Sequence, residues 1–87
     1  MRLILRPRMY DLVRGGFKRE VYRDTSPYWI ESIGRLGPRE EVAILSCKGR
    51  PDVAYWTARV DVREGRPDWG AEVGVHYFVV LLGEFIG

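Results

Sequence analysis

Ten consecutive residues, Ala54 through Arg63, alternate apolar and mostly polar side chains with a period of two. Successive side chains on a strand point to opposite faces, so this period predicts a half-buried β-strand. Ala54, Trp56, Ala58, Val60 and Val62 share the face expected to be core, while Tyr55, Thr57, Arg59, Asp61 and Arg63 share the face expected to be wet. A lone strand is not stable in water, so a sheet must form around it. Two further runs supply partners. Val42 to Cys47 is mostly apolar and is followed by Lys48-Gly49-Arg50-Pro51-Asp52, which has the chemistry of a hairpin turn or wider loop. After a Gly-, Pro- and Asp-rich loop from Glu64 to Val75, Tyr77 to Ile86 is apolar on both faces, the pattern of a strand buried on both sides, as in a barrel.

The first half reads as shorter pieces. Arg2 to Leu5 is an opening or edge strand stopped by Pro7, which suits the first turn of a helix. Met9, Leu12 and Val13 form the apolar face of that helix, and Gly15-Gly16 ends it. Lys18 to Arg23 resumes as a strand. Ser26 is the expected cap of a second helix with Pro27 at its first position, and Trp29, Ile30 and Ile33 make its buried stripe before Gly34 and Gly37-Pro38 break it. No repeat, linker or low-complexity tract divides residues 1–87, so they form one domain. The order predicts an α+β fold, a small β-barrel of about five strands with two short helices at one end.

A domain of 87 residues buries only about 60% of the surface its unfolded chain exposes, so its core must be compact and aromatic. Three Trp, five Tyr and three Phe supply that. No apolar run approaches the roughly 20 residues of a membrane span, and Met1 to Leu5 is too short and too quickly charged for a signal peptide, so the expected location is the cytoplasm with no membrane partner. Cys47 is alone, which rules out an internal disulfide. His76 is the single histidine and has no partner at metal-ligand spacing, and there is no Gly-rich phosphate loop, so neither a metal nor a cofactor is expected.

Charge is uneven along the chain. Of the net +2, residues 1–23 hold +5, from seven basic residues against two acidic ones, which leaves −3 for the rest. Such asymmetry fits a phosphate-binding face, although charge also solvates a small domain. Around the Gly15-Gly16 break, Lys18 and Glu20 stand two positions apart, which on an extended strand puts both on one face roughly 6 to 7 Å from each other. They are the acid–base candidates if the chain is an enzyme, and a surface ion pair otherwise. Arg19 adds charge beside them. Arg23 offers a guanidinium able to grip phosphate or a base edge in bidentate fashion. Tyr28, Tyr55 and Trp69 are candidate stacking surfaces, and Lys48 and Arg50 in the hairpin loop could track a backbone.

Gly16, Lys18 and Arg23 fit the Gly-x-Lys-x-x-Glu-x-Arg motif of the ASCH domains, a branch of the PUA-like β-barrel superfamily, which this chain resembles. The resemblance extends through Tyr22-Arg23, Pro27-Tyr28-Trp29, Trp69-Gly70-Ala71 and Tyr77-Phe78-Val79-Val80-Leu81-Leu82-Gly83-Glu84, pieces that recur in order in small phage and bacterial proteins of this kind. It implies a PUA-like barrel with RNA or a modified nucleotide as ligand and singles out Lys18 and Arg23; together with the charge and aromatic readings above, the candidate binding residues are Lys18, Arg19, Arg23, Tyr28, Lys48, Arg50 and Tyr55. In some members the motif Lys works with a Thr three residues on and a distant Glu to deacetylate acetylated cytidine. Here that third position, which is also the motif's acid, is Val21, which has no hydroxyl or carboxyl to offer. The weight therefore falls on a binding module. A hydrolase on a modified nucleoside or a weak ribonuclease, using Lys18 and Glu20, is the alternative, and a phage-derived module that binds another protein is a third reading.

Overall fold

The computed structural model describes residues 1–87. Its elements are β1 (Arg2–Ile4), α1 (Pro7–Arg14), β2 (Glu20–Arg23), α2 (Pro27–Ile33), β3 (Gly37–Cys47), β4 (Arg50–Glu64), a single 3-10 turn at Pro67–Trp69, and β5 (His76–Phe85). All five strands join one sheet in the order β1-β3-β4-β5-β2. β1 runs parallel to β3, and every other pair is antiparallel. The sheet curls into a half-barrel, so the fold is α+β with five strands and two short helices. The two edges of that sheet, β1 and β2, share no ladder. A side chain spans them instead: Arg23 Nη2 donates to the Ile4 carbonyl at 2.7 Å.

Hydrophobic burial explains the arrangement. Leu3 and Leu5 from the β1 segment, Tyr10 and Val13 from α1, Val21, Ile33, Ala43, Leu45, Val53, Tyr55, Val60 and the β5 residues Phe78, Val80 and Leu82 make one core cluster. At the centre of β5, Phe78, Val79 and Val80 are all buried, as its two-faced apolar pattern requires. Pro occupies the first turn of both helices. Ser26 precedes α2 but its side chain makes no capping hydrogen bond, and only Ile33 of the expected stripe is fully buried, Ile30 being exposed.

The alternating strand departs from its expected facing. Val53, Tyr55 and Thr57 point into the core, whereas Trp56 is 44% exposed and Val62 41% exposed. Further along β4 the buried position is Val60, so the parity switches from odd to even between Thr57 and Val60. The cause lies in the pairing with β5. Tyr55 pairs with Phe85, Thr57 with Leu82 and Arg59 with Leu81, two register shifts within four residues that turn the inward face over. The strand β3 also begins at Gly37, earlier than Glu41, because Gly37 and Pro38 pair with Val60 and Arg59 rather than serving only to end α2. The hairpin turn narrows to Lys48-Gly49, with Gly49 at a φ of 81° that favours glycine.

Candidate functional site

Because β1 and β2 are unpaired with each other, the half-barrel is open along the seam between them. That opening is a pocket of about 350 Å³. Ile4, Leu5 and Arg6 line it from the β1 side, Lys18, Val21, Tyr22 and Arg23 from the β2 side, and Met9 and Trp69 from the flanking helix and turn. No carboxylate lines it.

Lys18 is delivered by the Gly15-Gly16 break, where Gly16 takes a φ of 80°. The side chain is only 4% exposed. Its ammonium donates to the Trp69 carbonyl at 2.9 Å and meets the Met9 sulfur at 3.1 Å, while the Tyr22 ring centroid lies 5.4 Å away. Burial, reinforced by the positive charge of Arg23 and opposed by Glu20, pulls its pKa down to about 8. Arg23 carries the second cation that forms no salt bridge. One terminal nitrogen donates to Ile4 across the seam and the other to the Tyr22 carbonyl at 2.8 Å, and the group sits 5.5 Å from the Trp29 ring centroid. Burial disfavours its charge, with Asp24 restoring part of it.

Glu20 does not join them. β2 begins only at Glu20 and pairs with β5 in unbroken register through Arg23, so Lys18 lies before the strand and the alternation expected to set both side chains on one face does not reach it. Its two oxygens are taken by the Tyr22 hydroxyl, which donates at 2.7 Å, and by an ion pair to Arg63. The expected Lys18–Glu20 ion pair is thus replaced by Glu20–Arg63. Tyr22 in turn accepts from the Arg66 amide at 3.0 Å, and burial pushes its pKa up to about 12. Gly65 allows this packing, since a Cβ there would stand 2.7 Å from the Ala71 Cβ and 2.9 Å from the Tyr22 ring. The residues 65–71 thereby bring Trp69 over Lys18.

The remaining candidates scatter. Tyr28 is 68% exposed and lines a hollow adjoining the pocket. Arg19 faces another depression, shared with Arg14 and Phe85. Tyr55, expected on the wet face, is buried with its ring edge-on to Phe85 and its hydroxyl accepting from Arg14 at 3.1 Å, because the β4 register shifts turn odd positions inward. Arg50 is held by Asp11 through two hydrogen bonds of 2.8 Å, and Lys48 is exposed at the hairpin tip, so neither reaches the seam. Arg6 and Met9 are pocket residues that sequence reasoning missed; the signal was Pro7, whose place at the first helical position puts both at the start of α1.

The site has aromatic and thioether walls, three cations without a salt-bridge partner, namely buried Lys18, half-buried Arg23 and exposed Arg6, and no side-chain hydroxyl beyond that of Tyr22. No family model, curated protein or solved structure matches the chain.

Proposed function

We propose that the chain is an RNA- or nucleotide-binding module of the ASCH-like, PUA-like kind, and that the ligand enters the seam between β1 and β2. One observation carries this reading: Lys18 and Arg23, neither paired with a carboxylate, converge on one pocket that no acid lines. Burying a charge without a partner is unfavourable, and a ligand phosphate would relieve both groups at once. A volume of about 350 Å³ lies in the range of small-molecule sites. Trp69 and Tyr22 offer aromatic surface to a base. The order of motifs from Gly16 to Glu84 supports the family assignment.

The test is titration of a labelled single-stranded decauridylate at low salt, followed by fluorescence anisotropy. Binding is expected, along with its loss in the Lys18→Ala, Arg23→Ala double variant. No binding by the parent protein, or equal binding by the variant, sinks the reading.

A hydrolase reading is favoured by a single feature, the Lys18 pKa of about 8, which suits a general base near neutral pH. With Val21 in the pocket and Glu20 held outside it, Lys18 has neither nucleophile nor acid beside it. Incubation with acetylated cytidine separates the two readings: product formed by the parent protein and absent with Lys18→Ala would establish the hydrolase.

A further inference from the structure

The pocket does not end at Arg23. Arg23 and Ile4 also form the wall of a second hollow of about 380 Å³, completed by Arg2, Tyr28 and Trp29 and again free of carboxylates. The two hollows therefore meet at one guanidinium.

That shared group is free to act. Arg2 is neutralised by Asp52 at 2.9 Å, which leaves Arg23 as the cation of the second hollow without an acidic partner. A guanidinium has five N–H donors, and Arg23 uses two of them on the main-chain carbonyls of Ile4 and Tyr22. Those bonds fix its place at the junction without cancelling its charge. The aromatic residues of the second hollow differ in availability. Trp29 is half-buried and flanked by Arg23 and by the edge of Tyr28, whose ring centroid is 5.0 Å away. Tyr28 itself, just after Pro27 at the start of α2, leaves most of its ring in solvent.

We propose that the seam is a two-subsite groove for a dinucleotide step of single-stranded RNA. The first nucleotide occupies the pocket beside Lys18 and Trp69, the joining phosphodiester lies on Arg23, and the next base stacks on Tyr28. This rests on the reading of the seam as an RNA site and adds its polarity of parts: enclosure, charge, platform. The geometry requires a flexible strand, since a base stacked in a duplex cannot reach a side-chain platform, whereas an unpaired one can be splayed onto it. It also follows that the site counts nucleotides. A mononucleotide fills the enclosed part and leaves Tyr28 unused.

Calorimetric titrations with uridine 3′,5′-bisphosphate, which already carries the phosphate meant for Arg23, and with 5′-phosphorylated diuridylate at low salt test this. The dinucleotide is expected to bind at least about fivefold tighter, the lower bound for one added base–aromatic stack. Tyr28→Ala should abolish that gain and leave the mononucleotide unaffected, and Tyr28→Phe should keep it. The exposed position of Tyr28 makes misfolding of these variants no explanation for a loss, and unchanged mononucleotide binding is the internal control. Equal affinity for the two ligands, or equal weakening of both by Tyr28→Ala, overturns the proposal. If decauridylate still binds in a Lys18- and Arg23-dependent way while either of those results is found, the RNA site stands and its division into two subsites falls. If neither nucleotide nor decauridylate binds, both fall together.

Discussion

Lys18 turns away from the carboxylate two residues along and donates to the carbonyl of Trp69, 51 positions distant. That choice leaves a buried ammonium beside Arg23, and its cost has a definite pH signature. Its folded-state pKa of about 8 lies below the ordinary value of 10.5, so between those limits the unfolded chain binds the proton more tightly. Stability contributed by this group therefore rises as pH climbs through that window. Tyr22 works in the opposite sense. Its pKa is raised to about 12 from 10, so the neutral phenol stabilises the fold below 10 and that contribution is lost as pH rises toward 12. The rising limb should accordingly be clearest between about pH 8 and 10. Lys18→Met removes the titrating group while keeping an apolar stem. We expect the melting temperature of the variant relative to the parent to be more favourable at pH 7 than at pH 10, by on the order of 1 kcal/mol, or ~4–8 °C for a domain of this size. Thermal melts at the two pH values read this directly, and an identical difference at both would mean that Lys18 is not desolvated.

At the level of elements, β4 shows how a strand can be legible in its extent and misleading in its facing. The alternation from Ala54 to Arg63 marks a true strand, and the apolar run after Tyr77 marks its inner neighbour. The facing reversed because the paired strands slip twice around Thr57, and such slips arise from curling the sheet rather than from any residue a linear pattern displays. Trp56 went outward and Tyr55 inward for that reason. The candidate site was legible where it depended on local signals: Gly15-Gly16 before Lys18, and Pro27 before Tyr28. It was not legible where it depended on contact between distant segments, as with Arg6, Met9 and the Glu20–Arg63 pair. The slip leaves a trace of its own. Thr57 is wholly buried and its hydroxyl has no hydrogen-bond partner. An unpaired buried hydroxyl costs roughly 1–3 kcal/mol, so Thr57→Val, which keeps the shape, should stabilise the protein by about 1 kcal/mol. Urea denaturation measures it, and a destabilised variant would show that the hydroxyl has a partner after all.

For the molecule as a whole, what matters is which of its many arginines are already spoken for. Arg2, Arg39, Arg50, Arg59, Arg63 and Arg66 each form an ion pair with an Asp or Glu. The side-chain cations left outside those pairs are Arg6, Arg8, Arg14, Lys18, Arg19 and Arg23 in residues 1–23, and Arg35 and Lys48 beyond them. Folding thus sharpens the asymmetry of the sequence, because most of the later basic residues neutralise acids while most of the early ones do not. Arg6, Lys18 and Arg23 then share one pocket. If those three meet phosphate, the logarithm of the RNA affinity should fall with the logarithm of salt concentration at a slope of about −2, from ~0.7 per neutralised phosphate on a single strand. Replacing Lys18 or Arg23 singly should flatten that slope by about 0.7 on the same basis, whereas Arg50→Ala should leave it unchanged, since Arg50 is engaged with Asp11. Anisotropy titrations at four or so salt concentrations give the slopes. A parent slope near zero would remove phosphate from the account, and an equal flattening by Arg50→Ala would mean that the binding face is the hairpin and not the seam.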